Sequence, residues 1–309
     1  MARAPPPRDF PAVARAGWGQ SSAPPSRASC HTARMSLPVF PGATPAFEPT
    51  IGAVPATIPP DARVLAFDGA FVVVRDAPAA LPDLALPITT PHLIGTLDGA
   101  MVVAGALHGE APEGHRAMDL RGLANTLPAA HWAAAAYASQ VLHWDRTNRF
   151  CGACGRTTVP AADPSKRAKV CEGCGHEVYP RVSPCTITAI HDGARMLLVR
   201  APHFPPGRFG LVAGFVDPGE SLEDCVRREA REEVGLALTE VTYLGSQPWP
   251  FPHQLMVGFV ARAEAAEPRL LDGELAEAGW FAPDALPQLP PRLSIARALI
   301  EHVAATLPR

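Results

Sequence analysis

The chain has 309 residues, of which 47% are hydrophobic and 18% are charged, and its formal net charge is -3. This length predicts about two domains with enough apolar material for buried cores. No apolar run approaches the ~18 residues of a membrane span, and the slight acidity excludes a global attraction to nucleic acid or anionic lipid. We therefore expect a protein that acts in the cytoplasm without a membrane partner.

Residues 1–36 are rich in Pro, Ala, Arg and Ser and contain Asp9 as their one acidic residue, which predicts a disordered tail. Two alternatives stay open: an organellar targeting segment, or a true start of translation at Met35. The seven cysteines of the chain, an odd number without a secretory leader, favour a reducing cytoplasm over a disulfide framework.

Residues 37–126 are predicted to form a small, mostly antiparallel β domain. The segments 63–75 and 92–107 each consist of two apolar runs joined by Asp-Gly, which is typical of a hairpin with a type I′ turn. Their spacing suggests a duplicated hairpin pair without catalytic groups. Residues 127–147 are rich in Ala and are predicted to form a connecting helix.

Residues 148–181 contain two C-x2-C pairs separated by sixteen residues: Cys151 and Cys154, then Cys171 and Cys174. Four thiolates on two tight turns match a closed, tetrahedral, structural Zn²⁺ site, and a segment this polar needs the ion in order to fold. We expect His176 to be a surface residue, because the four cysteines already complete the coordination.

Zinc ribbons often bind nucleic acid, so a local RNA contact is the alternative to a purely structural ribbon. Five basic residues could contact phosphates there, although they could equally be solvated. These are Arg156, Lys166, Arg167, Lys169 and Arg181.

Residues 214–236 read GFVDPGESLEDCVRREAREEVGL, which fills every fixed position of G-x5-E-x7-R-E-U-x-E-E-x-G-U, where U is apolar. Ser221 is predicted to cap a helix that begins near Leu222, with Asp224 as its capping-box partner. The fixed positions are Gly214, Glu220, Arg228, Glu229, Glu232, Glu233 and Gly235.

Three of these carboxylates crowd one edge of the predicted helix. At ~100° per residue, Glu229, Glu232 and Glu233 share a sector of roughly 100° beside an apolar stripe. Like charges at this spacing destabilise a bare helix, so the pattern indicates a compensating divalent cation, Mg²⁺ or Mn²⁺. Arg228 is expected to orient a carboxylate of this group through a bidentate pair.

Residues 182–309 alternate strand patterns with the acidic helix and end in an amphipathic helix at 294–307, which predicts a mixed α/β domain. After the acidic helix, residues 246–256 read SQPWPFPHQLM. The three prolines around Trp249 and Phe251 predict a stiff loop that cannot join a central strand.

The pattern at 214–236 resembles the Nudix box. Together with the four-cysteine ribbon, the link Tyr179-Pro180-Arg181 and the array SQPWPFP, it resembles the NADH pyrophosphatase subgroup of Nudix hydrolases over residues 150–307. The resemblance implies an α/β/α sandwich preceded by the zinc ribbon and the N-terminal domain. It also implies metal-dependent hydrolysis of NADH or NAD⁺ to AMP and nicotinamide mononucleotide, with removal of NAD caps from RNA as a further activity.

The resemblance assigns roles position by position. Mg²⁺ or Mn²⁺ would be bound by Glu229, Glu233, the backbone carbonyl of Ala213 and a later glutamate, Glu274. Glu232 and Glu233 are both candidates for the general base. Phe215 and Tyr179 would sandwich a base of the substrate, with Tyr179 contributed by the partner subunit of a homodimer.

Further positions are implied to contact the substrate, with Arg116 the weakest match. They are Arg116, Gln247, Pro248, Trp249, Pro250, Phe251, Pro252, His253, Gln254 and, through its backbone, Ala296. Gln254 stands where the family array has serine, so the reaction type is better founded than the substrate preference. ADP-ribose and FAD are alternative substrates, and a catalytically inactive, zinc-ribbon nucleic-acid-binding module is the alternative from another class.

Overall fold

The computed structural model describes residues 46–76, 79–82, 86–264, 266–271 and 273–308. The predictions for residues 1–36 and for the first residues of the N-terminal domain lie outside the described residues. Within the described ranges, no helix is both long and apolar enough to cross a membrane.

The N-terminal region is built on a six-stranded mixed sheet in the order β1-β4-β5-β2-β3-β6, in which β2 and β5 are parallel and the other neighbours antiparallel. Its elements are β1 (Phe47–Pro49), β2 (Arg63–Asp68), β3 (Phe71–Arg75), β4 (Ile88–Leu97), β5 (Ala100–Leu107), β6 (His115–Met118), α1 (Leu120–Leu123) and α2 (Ala129–Thr147).

Both predicted hairpins are present, but only one has the predicted turn. Asp98 and Gly99 have φ angles of 52° and 80°, as a type I′ turn requires. Asp68 instead pairs with Phe71 within the sheet, so the first turn consists of Gly69 and Ala70 and only Gly69 has a positive φ. The prediction for Asp68 was wrong because the strand extends by one residue.

Helix α2 covers the N-terminal sheet, in agreement with the helix predicted at 127–147. Its alanines at 133–136 and 138 are buried together with Trp132 and Trp144 in the same core as the sheet residues. Small side chains let the helix axis approach the strands closely, while the two indoles fill the remaining space.

The ribbon follows directly and contains a three-stranded antiparallel sheet. Its strands are β7 (Thr158–Pro160), β8 (Lys169–Cys171) and β9 (Glu177–Val178).

The C-terminal region has a second six-stranded sheet in the order β13-β14-β10-β11-β15, with β12 paired to β10. Its elements are β10 (Ser183–His191), β11 (Met196–Arg200), β12 (Val212–Phe215), α3 (Leu222–Val234), β13 (Leu238–Trp249), β14 (Gln254–Ala263), β15 (Glu277–Phe281) and α4 (Ile295–Thr306). Strand β15 was not predicted, because its short sequence EAGWF has no clear alternation.

Helices α3 and α4 cover opposite faces of this sheet. Leu197 shares a buried cluster with Ala230 of α3, whereas its neighbour Leu198 shares a different cluster with Leu299 of α4. Successive side chains of a strand point to opposite faces, so the α/β/α sandwich is confirmed.

The loop predicted from Ser246 begins later than expected. Strand β13 continues to Trp249, and Pro248 pairs in register with Leu255. Because β13 is the edge strand, one of its sides has no partner strand in the sheet, so proline is tolerated there. The proline array therefore forms the end of an edge strand followed by a short turn at 250–253.

Candidate active site

Helix α3 is fixed at both ends by the residues that its sequence pattern requires. The Ser221 hydroxyl accepts a hydrogen bond from the Asp224 backbone N–H at 3.1 Å and donates one to the Asp224 carboxylate at 2.6 Å. Gly235 ends the helix in the left-handed conformation with φ of 68°. The predicted start near Leu222 is confirmed, and the carboxylates of the helix are held in a fixed frame.

Arg228 is the centre of the carboxylate cluster. Its guanidinium binds Glu220 through two hydrogen bonds of 2.6 and 2.9 Å, and it donates to Glu229 at 2.7 Å and to Glu232 at 3.0 Å. It also donates to the Phe215 carbonyl at 2.8 Å. One arginine therefore fixes three carboxylates against the end of β12.

Glu220 has a structural role that was not predicted from its fixed position in the box. As the bidentate partner of Arg228, it leaves Glu229 and Glu232 with single contacts to the arginine. The signal was present in the box itself, because a glutamate at a fixed offset before the arginine needs a positive partner.

Gly214 is required by the close approach of Glu229. A Cβ at this position would lie 1.8 Å from the Glu229 carboxylate, so any larger residue would displace the acid. The carboxylate thus lies against the backbone of β12, where Ala213 is the preceding residue.

The electrostatics show that several acids share this region. Burial raises the pKa of Glu229, and the charges of Glu232 and Glu274 raise it further while Arg228 opposes them. Glu274 is therefore near enough to raise the pKa of Glu229 through its charge, although it is exposed on a separate segment. In contrast, the bidentate bond from Arg228 lowers the pKa of Glu220 to about 2.

Glu233 lies deeper than the other acids and is only 5% exposed. Beneath the cluster, burial raises the pKa of the Cys185 thiol to about 12, assisted by the charges of Cys225, Glu229 and Glu233. Two glutamates thus flank one buried region, where unneutralised carboxylates are costly.

This donor set suits a hard divalent cation. Carboxylate and carbonyl oxygens are the ligands that Mg²⁺ and Mn²⁺ prefer, and Glu229, Glu233, Glu274 and the Ala213 carbonyl offer only such oxygens. In the described part of the chain, only the ribbon cysteines bring three or more His, Cys, Asp or Glu ligand atoms within 4.8 Å of one another. Arg228 meanwhile partly neutralises the acids.

The predicted base-binding aromatics lie at the same end of the sheet as the cluster. Phe215 pairs with Cys185 on one side of β10, and Gln254 pairs with Ser183 on its other side. Neighbouring strands are ~4.8 Å apart and successive residues of a strand ~3.3 Å apart. Two strand spacings and the two-residue offset between Cys185 and Ser183 therefore separate Phe215 and Gln254 by about 12 Å. Phe215 is 51% exposed, which leaves its ring accessible.

Tyr179 precedes this sheet end on the ribbon link and is 50% exposed. Its hydroxyl donates a hydrogen bond of 2.5 Å to Glu177, which raises the pKa of the phenol. The hydroxyl is therefore tethered while the ring remains accessible.

Gln247 does not have the environment of a substrate-binding side chain. It is 0% exposed; its amide donates to the Leu293 carbonyl at 2.8 Å and accepts from the Ile295 N–H at 2.8 Å. The structure does not support the predicted substrate contact by this side chain, because both ends of the amide are engaged in holding the start of α4. Ala296 is also buried in that first helical turn.

The following residues join the two halves of the molecule. Trp249 and Phe251 pack against the N-terminal core, with their rings edge to face at 5.0 Å between centroids. The Arg121 guanidinium lies 3.8 Å above the Phe251 ring. His253 is fixed to Ser183, with 3.2 Å between its Nδ1 and the serine hydroxyl.

Arg116 is not brought to the carboxylate cluster by any contact found among the described residues. It lies in β6, the edge strand of the N-terminal sheet, and pairs with Asp76 at 3.5 Å. The predicted role as a substrate-facing arginine receives no support from this position.

The four ribbon cysteines converge as predicted. Sγ distances are 3.7 Å between Cys151 and Cys174 and 3.4 Å between Cys154 and Cys171. Four sulfurs at ~2.3 Å from a tetrahedral Zn²⁺ would be about 3.8 Å apart, so the set fits the ion. The backbone N–H of Gly173 also points to the Cys171 sulfur at 3.3 Å. A structural zinc ribbon is confirmed.

The basic residues of the ribbon are mostly engaged in structural contacts. Lys169 is buried and pairs with Asp145 of α2 at 2.8 Å. Arg167 donates to the backbone carbonyls of Thr50 and Leu93, and Lys166 pairs with Glu177. These three residues hold the ribbon together or against the N-terminal region, so the hypothesis that they contact phosphates is not supported.

Three protein-family models match successive parts of the chain. Residues 181–303 match the model of the NUDIX domain, and residues 146–179 match that of the NADH pyrophosphatase zinc ribbon domain. Residues 61–144 match the NADH pyrophosphatase-like rudimentary NUDIX domain, a relationship that was not predicted for the N-terminal region.

Curated relatives extend the similarity over most of the chain. A protein of Chromobacterium violaceum named NAD-capped RNA hydrolase NudC is 39% identical over 78% of this chain and 91% of its own length. A protein of the same name from Pseudomonas syringae pv. tomato is 44% identical over 72% of this chain and 80% of its own length. Another, from Deinococcus radiodurans, is 39% identical over 82% of this chain and 94% of its own length.

Proposed function

Because the chain belongs to the NADH pyrophosphatase subgroup of the Nudix hydrolases, we propose that it hydrolyses the diphosphate of NADH or NAD⁺ to AMP and nicotinamide mononucleotide. The observation that carries this proposal is the complete carboxylate cluster. Glu220, Glu229 and Glu232 converge on Arg228, and no acidic position of the box is lost.

Different residues of the site would bind the metal ion, position the carboxylates and accept the proton. Glu229, Glu233, Glu274 and the Ala213 carbonyl would hold Mg²⁺ or Mn²⁺. When bound, the divalent ion supplies neutralisation of the diphosphate charge and a lowered pKa for water. Arg228 holds Glu229 and Glu232 in position, so the acids need little reorganisation when the substrate arrives.

The proton of the attacking water passes to Glu232 or Glu233. Glu232 is the more exposed of the two and can return a proton to solvent, whereas Glu233 is buried beside the reacting region. Replacing each in turn by Gln and recording the pH dependence of kcat distinguishes them, since only loss of the base removes the ascending limb of the profile.

The exposed rings of Phe215 and Tyr179 are the proposed binding surfaces for the substrate. The rings of Phe215 and Tyr179 would sandwich a base, with Tyr179 contributed by the partner subunit of a homodimer. Light scattering at micromolar concentration tests this arrangement, for which we expect twice the monomer mass. A monomer that retains full activity would contradict the role of Tyr179.

NAD-capped RNA is a second substrate, favoured by the name NAD-capped RNA hydrolase that the relatives carry. It contains the same diphosphate as NAD⁺, so the same carboxylates can act on it. The exposed position of Phe215 leaves the site open to a long polymer as well as to a free dinucleotide.

A parallel assay separates this function from its competitors. Purified protein with Mg²⁺ or Mn²⁺ is given NADH, NAD⁺, ADP-ribose, FAD and NAD-capped RNA, and the products are identified by mass spectrometry. We expect AMP and nicotinamide mononucleotide from NADH and the 5′-monophosphate end from capped RNA. Preference for ADP-ribose or FAD would replace the proposed substrate, and cleavage of none would favour an inactive nucleic-acid-binding module.

A further inference from the structure

A groove runs along α2 beside the turn at 250–253. It consists of two cavities of about 250 and 210 Å³ that share His143 in their linings. We call it the basic groove and define it by Arg121, His143, Arg146, Arg181, Phe251 and His253.

The basic groove is strongly cationic although the whole chain carries a net charge of -3. Its three arginines are charged at any physiological pH, and among the described residues Asp119 is the one acidic residue in either lining. Asp119 lies 3.6 Å from Arg121 and offsets only one of the three charges. The charge therefore selects an anionic ligand.

Aromatic rings stand beside the cations. Phe71 is 48% exposed in the lining, and Phe251 carries the Arg121 guanidinium over its face. Aromatic and guanidinium surfaces on which bases stack, next to cations for the phosphates, are typical of sites for single-stranded nucleic acid. A free phosphate would need the cations but not the rings.

The groove adjoins the end of the sheet that carries the catalytic cluster. The turn at 250–253 forms its wall, and His253 contacts both Ser183 and the ring of His143, whose centroid is 5.5 Å away. Phe215 lies about 12 Å from Gln254 across the sheet. A chain attached to a diphosphate at the cluster can reach the groove within a few nucleotides.

We propose that the basic groove binds the first nucleotides of the single-stranded RNA that follows an NAD cap. This inference rests on the proposed removal of NAD caps and adds the element that distinguishes capped RNA from the free dinucleotide. Arg121 and Arg146 of the groove are not among the positions assigned to the dinucleotide, so their loss should spare the hydrolysis of NADH.

The test compares two charge-removing changes with a matched control. In Arg121→Gln/Arg146→Gln, two groove cations are lost; in Arg149→Gln, an exposed arginine just beyond the same helix is lost outside the groove. For each protein, kcat/KM is measured for NADH and for NAD-capped RNAs of two to twelve nucleotides, at several salt concentrations.

The double variant should lose about tenfold or more in kcat/KM on the longer capped RNAs and stay within about twofold on NADH. The slope of log kcat/KM against log salt for RNA should fall by roughly two, one for each lost phosphate contact. Arg149→Gln should match the wild type within about twofold on both substrates. An equal loss on NADH and RNA, or no loss on RNA, would overturn the proposal.

Other outcomes have distinct meanings. If the wild type cleaves NADH but shows no gain with RNA length, the groove proposal fails while the hydrolase function stands; if it cleaves neither, the proposed function fails first. Uncapped single-stranded RNA should bind the wild type and bind Arg181→Gln more weakly in fluorescence anisotropy, a readout that stays valid if the double variant is unstable. Equal displacement by inorganic phosphate would assign the groove to a simple anion instead.

Discussion

The two six-stranded sheets share the topology of five strands, but only one of them carries the carboxylate cluster. The order β4-β5-β2-β3-β6 in the first matches β13-β14-β10-β11-β15 in the second. Each has one parallel pair, β2 with β5 and β10 with β14, flanked by antiparallel neighbours. Helix α2 follows β6 as α4 follows β15.

The difference that concerns catalysis is an insertion. Between β11 and β13 the second sheet has residues 201–237, which include β12 and α3 with Arg228 and the carboxylates that it binds. Between β3 and β4 the first sheet has only residues 76–87, too few for such a strand and helix. The sheet is therefore a scaffold, and the carboxylates on which the proposed activity depends lie mainly on the segment inserted into it.

A second difference concerns the hairpin after this insertion. The N-terminal sheet connects β4 and β5 by the two-residue turn Asp98-Gly99, whereas β13 and β14 are connected by the residues 250–253. The longer turn is the one that contacts α2 and forms the wall of the basic groove. The proposed RNA-binding groove is therefore formed in part by residues at which the two sheets diverge.

The largest expected effect comes from removing one acid of the inserted helix. Glu233→Gln should lower kcat for NADH about a thousandfold, because loss of a metal-binding carboxylate removes about 4 kcal/mol of transition-state stabilisation. The fold should persist, as judged by circular dichroism. The control Glu223→Gln lies on the same helix outside the cluster and should keep full activity. An equal loss of activity in both variants would contradict a specific role for Glu233.

A smaller effect is expected from removing the ion pair between Asp145 of α2 and Lys169 of the ribbon. Burial opposes the ionisation of Asp145, but its ion pair with Lys169 at 2.8 Å and the His92 ring 3.7 Å away lower the pKa of Asp145 to about 2. Asp145→Asn leaves Lys169 buried without its counter-charge and should cost about 3 kcal/mol in the free energy of unfolding at pH 7. NADH turnover should remain unchanged, since no catalytic group is touched.

The pH dependence of this effect has a definite sign. The folded-state pKa of Asp145 lies below its ordinary value of 3.8, so its contribution is complete above about pH 4 and is lost as pH falls toward 2. Urea unfolding of the wild type and of Asp145→Asn between pH 7 and pH 3 measures the gap between their free energies of unfolding. A gap that widens on acidification would contradict the assignment.

Gln247 distinguishes a structural from a substrate-binding role for the end of β13. Gln247→Ala removes two buried hydrogen bonds to residues 293 and 295 and should lower the free energy of unfolding by about 2 kcal/mol. Gln254→Ala, at the more open start of β14, should instead raise KM with little change in stability. A rise in KM for Gln247→Ala without loss of stability would restore its predicted role.

The smallest expected effect concerns the helix caps. Ser221 caps α3 through its side chain, whereas α2 begins after Pro128 without a side-chain cap bond. Ser221→Ala should cost about 1 kcal/mol in thermal or urea unfolding. A loss of less than half that value would mean that tertiary packing alone fixes the start of α3.

Short-range features were predictable from the sequence and long-range ones were not. The start of α3, its Gly235 end and the four cysteines follow from spacing within a few residues. The parallel pairing of β2 with β5, the burial of Gln247 and the engagement of Arg167 by Thr50 and Leu93 depend on residues distant in the chain. The extension of β13 through Pro248 follows from its place at the sheet edge, which a local pattern does not contain.

The metal-binding role of Glu229 and Glu233 is tested most directly by electron paramagnetic resonance of Mn²⁺ binding to the wild type and to Glu229→Gln/Glu233→Gln. Zinc content is determined in both proteins to show that the ribbon is intact. The wild type should bind Mn²⁺ and cleave NADH, and the double variant should retain zinc while losing both. Unchanged Mn²⁺ binding in a double variant that retains its zinc would contradict the assignment of these two glutamates as the metal-binding centre of the enzyme.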